Sequence, residues 1–206
     1  MFTPKDFDKA RVGNYMKFED GENKIRVLEE PITGYVYWED VNGDIVPKNE
    51  MAGKGGKPIR SQTYDALNMA QRGAMKGFAA VLVWNYNVGK VQILEIKQVG
   101  IMNALEALSL SKAWGDIKTF NIIVKRTRTG SNPTDVEYSV IPEPKEELDK
   151  EISKTYKEAK VNLNALYDGD DPFGNEEEAV DVEEVAKEIT DVDIEEVMGD
   201  LDGKVN

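Results

Sequence analysis

Short apolar runs, each closed by a turn signal, are what most restrict the folds open to this chain. "NKIRVLEE" (23–30) alternates Ile25 and Val27 with Lys24 and Arg26, the period-two pattern of a half-buried strand. Pro31 interrupts it. "TGYVYWED" (33–40) then reads as a second strand with Tyr35 and Tyr37 on one face, followed by the Asn-Gly turn in "VNGD". "FAAVLVWNY" (78–86) is the more continuous apolar run of a central strand, and it turns at Asn87 to Gly89 into "KVQILEIKQ" (90–98). In "VGIMNALEALSLSKAWG" the residues Ile101, Leu105, Leu108 and Trp114 recur near helical spacing, with Gly115 as the stop. A hairpin, "TFNIIVKRTRTGSNPTDVEYSVIPEP" (119–144), turns at "TGSNPT", and 145–167 reads as a helix starting after Pro144.

This order is two strands, a long insertion, two strands, a helix and a hairpin. It predicts a mainly β fold: an OB-type Greek-key barrel of five to six strands with a helix before the closing hairpin, a long basic insertion and a C-terminal helix. A β-sandwich with insertions is the structural alternative. The domain boundaries follow as a core over 1–144 containing the insertion 47–77, a helix over 145–167, and a tail over 168–206.

Charge divides the chain at Tyr167. Residues 168–206 hold 16 acidic and 2 basic side chains, so the tail carries −14 of the total −13 and the body is +1. Phe173 is the one aromatic beyond Tyr167, and the scattered Val and Ile are too few to offset the entropy of ordering the segment. The tail therefore reads as disordered, either a solubilising extension or a competitor for a basic groove that also recruits partners. "DGDDPFG" is not a calcium loop, because the sixth position counted from Asp168 is Phe173 where an EF-hand needs glycine.

The chain has neither cysteine nor histidine. That excludes a disulfide framework, a cysteine nucleophile, a Cys/His zinc site and a Ser-His-Asp triad. Carboxylate–metal phosphoryl chemistry stays open in principle, but Glu19, Asp20 and Glu22 sit in a turn without a matched set elsewhere. No apolar run is long enough to cross a membrane, and the N-terminus has no apolar core of a secretory signal. The expectation is a non-catalytic protein without cofactor, metal or membrane contact.

The insertion carries Lys48, Lys54, Lys57, Arg60, Arg72 and Lys76 against Glu50 and Asp65, and it lacks the phosphate-binding GxxxxGK[ST] pattern. A barrel of this type holds single-stranded nucleic acid by stacking bases on aromatics beside cations. The candidates are Tyr35, Tyr37, Trp38, Trp84 and Tyr86 for stacking. Arg26, Lys54, Lys57, Arg60, Arg72, Lys76, Lys125, Arg126 and Arg128 are the candidates for phosphates. Strand aromatics are more often core than contact, and Trp114, Phe120 and Tyr138 read as structural. In the hairpin, Phe120, Ile122 and Val124 share the parity that anchors a strand; Arg126 and Arg128 continue it past the apolar run, and Lys125 points the other way.

The segments "EDGENKIRVLEEPITGYVYWED", "AAVLVWNYNVGKVQILEIKQVGIMNALEAL", "WGDIKTFNIIVKRTRTG" and "EYSVIPEP", in that order, resemble the single-stranded DNA-binding proteins of tailed bacteriophages across most of 18–144. The resemblance implies an OB-fold core that coats single-stranded DNA during replication, recombination and repair in the cytoplasm of an infected bacterial host. It also implies an acidic tail that contacts replication or recombination proteins such as a polymerase, a helicase or primase, or a recombinase. The acidic-Phe element that marks such tails sits internally here, at Asp170, Asp171 and Phe173, and the chain ends in "GDLDGKVN". A protein-interaction adaptor acting through the tail, without DNA binding, is the alternative.

Overall fold

The computed structural model describes residues 13–47, 56–132 and 134–174, and of these every residue but Gly174 belongs to one compact unit. Among the described residues the fold is mainly β, a mixed open sheet of eight strands. The strands are β1 (Tyr15–Met16), β2 (Gly21–Val27), β3 (Ile32–Glu39), β4 (Lys57–Ser61), β5 (Lys76–Asn85), β6 (Lys90–Ile96), β7 (Phe120–Arg128) and β8 (Val136–Lys145). The described helices are α1 (Met69–Ala74), α2 (Val99–Leu110), α3 (Lys150–Ala159) and α4 (Ala165–Asp168), with a 3-10 turn at Ile117–Thr119.

The sheet runs β1-β6-β5-β2-β7-β8, with β3 on β5 and β4 on β3. β5 is the axle. Its C-terminal end pairs antiparallel with β2 (Val27 opposite Val83), and its N-terminal half pairs with β3 (Val36 opposite Lys76). β2 and β3 thus form one line along the same edge of β5, bent at Pro31 and joined by a Leu28 N–H to Leu82 carbonyl bond of 3.0 Å. β5 and β6 form a hairpin whose turn places Gly89 at φ +63°, a value that favours glycine. β1 is parallel to β6 and, like β4, is a strand that the sequence pattern does not announce.

Alternation along β5 builds two cores. Phe78, Ala80 and Leu82 face one cluster with Val36, Trp38, Val91 and Ile93. Val81 and Val83 face the other, with Ile25, Val27, Leu94, Ile96, Ile122, Val124 and Ile101 of α2. Each large aliphatic or aromatic side chain so buried contributes about 1.5–3 kcal/mol. The parity expected of Phe120, Ile122 and Val124 is the parity observed, since all three are fully buried.

Two boundaries move. The helix expected over 145–167 is divided into α3 and α4, because Lys160 enters the left-handed region at φ +43° and ends α3. The ordered body also extends past Tyr167. Asp170 N–H donates to the Ala165 carbonyl, Asn162 N–H donates to the Pro172 carbonyl, and Phe173 packs on the first core with Leu163, Leu166 and Tyr167. Residues 148–173 therefore cover the face of the sheet that carries Phe78, Leu82 and Trp84. The reading of the rest of the tail as disordered lies outside the described residues.

Candidate nucleic-acid interface

The insertion expected to be a basic loop is in its described part a folded arm. β4 pairs with β3 along five positions, from Tyr35 opposite Ser61 to Glu39 opposite Lys57. α1 is short, and its N-terminus is capped. Asn68 accepts from Gln71 N–H while the Gln71 side chain accepts from Asn68 N–H, a reciprocal capping box. The same Gln71 donates through Nε2 to the Tyr37 hydroxyl at 2.7 Å, which fixes α1 against β3.

This arm brings two tyrosines and a guanidinium together. The rings of Tyr35 and Tyr64 meet edge-on with centroids 5.9 Å apart, and Arg72 lies over the Tyr64 ring at 4.2 Å. Asp65 stands 3.7 Å from Arg72 and steadies it from the exposed side. Tyr64 is 44% exposed and Met69, at the start of α1, is 88% exposed. Opposite Tyr35 on β5 lies Gly77, so no side chain shields the tyrosine from that strand. Lys57 and Lys76 are exposed on the same arm. An exposed ring backed by a cation is a surface on which flat, electron-rich rings stack. Tyr64 was absent from the candidates drawn from the sequence, although it is the sole aromatic of the 47–77 insertion.

Several expected contacts are core instead. Trp38 and Tyr37 are each 4% exposed, because β3 is covered on both faces, by the first core on the Trp38 side and by α1 on the Tyr37 side. Lys97 Nζ also lies 5.3 Å from the Trp38 ring centroid. Arg26 is 1% exposed, and its guanidinium donates to the carbonyls of Lys118 and Glu146 and to Asn121 Oδ1. None of these three can reach a base or a phosphate without unfolding its surroundings. Trp84 and Tyr86 are half-buried against the first core, with the Tyr86 hydroxyl 3.1 Å from Asn121 Oδ1 and Lys24 over its ring. Phe173, expected in a free partner-binding tail, packs on that core; Asp170 and Asp171 beside it are exposed. Lys54 lies outside the described residues.

The cations at the end of β7 meet an aspartate. Arg126 is hydrogen-bonded to Asp20, and Arg128 Nε lies 3.4 Å from the other oxygen of the same carboxylate. Lys125 is exposed, on the opposite parity, across from Glu22 in β2. Arg128 and Asp20 are each about half exposed, a pair worth about 0–1 kcal/mol, so a phosphate can exchange for Asp20 at Arg128 at little cost; Arg126 is more covered. Among the described residues, no three acidic side chains gather as a metal-holding group.

Arg60 is not a surface cation. Its guanidinium reaches Glu95 of β6 at 3.1 Å and lies over the Phe78 ring, while Lys97 holds the other Glu95 oxygen at 2.8 Å. The pair ties the arm to the sheet. Burial pushes the Glu95 carboxyl up, but the hydrogen bonds and charges of Lys97 and Arg60 outweigh it and hold the group below its ordinary 4.5. A depressed carboxylate contributes stability that is present above 4.5 and is lost as pH falls through the lower folded value. Glu95→Gln should therefore reduce the acid sensitivity of the urea midpoint relative to the parent. Parallel pH profiles for the two proteins would show that Glu95 does not carry this term.

Comparisons of the chain with protein-family models, with curated proteins and with solved structures gave no match.

Proposed function

We propose that the chain is a non-catalytic single-stranded DNA-binding protein built on an OB-type Greek-key barrel. The observation that carries the reading is the Tyr35–Tyr64–Arg72 cluster on the arm between β3 and β5. The order β6-β5-β2-β7-β8, with a helix between β6 and β7, supports it. It is the order third-second-first-fourth-fifth of that barrel, opened between its third and fifth strands. Barrels of this type bind oligonucleotides with the loops joining strands one to two and four to five. The corresponding connections here are the arm and the β7–β8 turn, the latter flanked by Arg126 and Arg128. The outer face of the second and third strands, often used as well, is covered by residues 148–173, which shifts the proposed path to the arm.

Stacking explains low sequence preference, because every base offers a π-face, and phosphate contacts explain salt sensitivity. The assigned setting is coating and protection of strands in phage DNA replication, recombination and repair, inside the bacterial host, and it rests on the sequence resemblance. Among the described residues, no helix is long and apolar enough to cross a membrane. The acidic tail is proposed to compete with DNA and to recruit replication partners, on the strength of its charge alone.

Titration with fluorescent oligo-dT at two salt concentrations tests this reading. We expect tight binding at low salt that weakens steeply as salt rises, with duplex DNA bound less well. Removing residues after Gly174 deletes 13 acidic and 2 basic side chains and leaves the packed Phe173 in place. That deletion should tighten binding. No binding at low salt rejects the function, and unchanged affinity on tail removal rejects the competition.

A further inference from the structure

Beside the arm, a cavity of about 570 Å³ opens between α2 and the strands β3 and β5. Its walls are apolar: Val27, Phe78, Val81, Ile96, Met102 and Leu105 are among them. Its polar edge carries two carboxylates, Glu30 and Glu106, and neither lysine nor arginine is among its lining residues. Lys118 is bonded to Glu30 from outside the cavity and offsets one of the two charges. Glu106 is exposed on α2.

α2 reads VGIMNALEALSL, with Glu106 as its single charge, yet of its residues only Ile101 is fully buried. Val99 and Leu110 are 63% and 77% exposed. Ile101, Met102, Leu105 and Leu108 pack on the second core, Asn103, Glu106 and Ser109 face out along the cavity edge, and Val99 and Leu110 leave apolar surface exposed at the two ends of the helix.

We infer that the cavity and the adjoining face of α2 dock a segment of a partner protein that carries bulky apolar side chains flanked by lysine or arginine. Charge decides between occupants. A phosphate at this mouth would meet the Glu106 carboxylate, and the adjoining cation Lys118 is already held by Glu30, whereas a basic flank would find Glu106 while its apolar side chain fills the cavity. The cavity takes no residue from the acidic tail, and it shares Tyr35 with the aromatic cluster of the arm.

The cavity can be blocked without strain. Gly77 shares the parity of Ala79 and Val81, which line the cavity, and a Cβ at Gly77 would meet nothing within 4 Å. The probe is a dye-labelled, end-capped peptide with a Leu-Phe-Leu centre and two lysines on each side; its control replaces the three central residues with serine and measures attraction to the acidic tail alone. Binding to the full chain is followed by fluorescence anisotropy near physiological salt. The Leu-Phe-Leu peptide should bind at least tenfold tighter than the serine control. Gly77→Leu and Glu106→Lys should each remove at least fivefold of that advantage, with oligo-dT affinity unchanged by Glu106→Lys. Equal binding of the two peptides, or an advantage untouched by both variants, overturns the proposal. So does a loss of oligo-dT binding in Gly77→Leu with the peptide unaffected, which would make the cavity a base pocket. A dimer in sedimentation that Gly77→Leu turns to monomer would assign the site to a second copy and overturn it too.

Discussion

Replacing Tyr64 with alanine is expected to weaken oligo-dT binding by about 1–3 kcal/mol, roughly 5- to 150-fold, while leaving the thermal midpoint nearly unchanged. The size follows from the loss of one stacked base, and the neutral effect on folding from the exposure of the ring. Arg72→Ala should cost a comparable amount but by a different route. It removes the cation over Tyr64 and one phosphate contact, so the slope of log affinity against log salt should fall by about one. Tyr64→Ala should leave that slope alone. The two side chains touch at 4.2 Å, so the double variant should lose less than the sum of the single losses. Additive losses, or a Tyr64→Ala protein that binds like the parent, would remove the cluster from the interface.

The largest effect on stability is expected at Arg26. Arg26→Met keeps most of the volume but leaves the carbonyls of Lys118 and Glu146 without their shared donor, while Asn121 Oδ1 keeps the Tyr86 hydroxyl. An unmet buried polar group costs about 1–3 kcal/mol, so a total near 3 kcal/mol is a fair expectation. The urea midpoint should drop sharply, and the fraction still folded should bind oligo-dT as the parent does. A normal midpoint with impaired DNA binding would return Arg26 to the interface, where its place in an alternating strand first put it.

That reversal shows where the sequence is readable. The parity of Ile25 and Val27, and of Phe120, Ile122 and Val124, is a property of the strand itself and survives into the structure. Whether the polar face of the same strand meets water depends on what lies over it. β2 is central, between β5 and β7, and the 3-10 turn and the Glu146 segment close over Arg26. Tyr37 was obscured in the same way, because the covering α1 comes from the far end of the insertion, and Trp38 because the first core that encloses it draws on residues 148–173. β4 was hidden by Pro58, which argues against a central strand but is tolerated on an edge. For the arm, composition announced the cations, and packing alone sorted Arg60 into an ion pair with Glu95 and Arg72 onto Tyr64. The cations at the end of β7 were legible as a cluster; their partner Asp20 was not, since nothing in a linear pattern links it to Arg126 and Arg128.

The most direct test of the central claim is to crosslink the full chain to oligo-dT with ultraviolet light and identify the modified peptides by mass spectrometry. Crosslinks on peptides containing Tyr35 or Tyr64, lost when excess unlabelled oligo-dT competes, are the expected result. Crosslinks confined to α2 or β8, or none under conditions that saturate binding, would contradict the assignment of the arm as the DNA-binding surface.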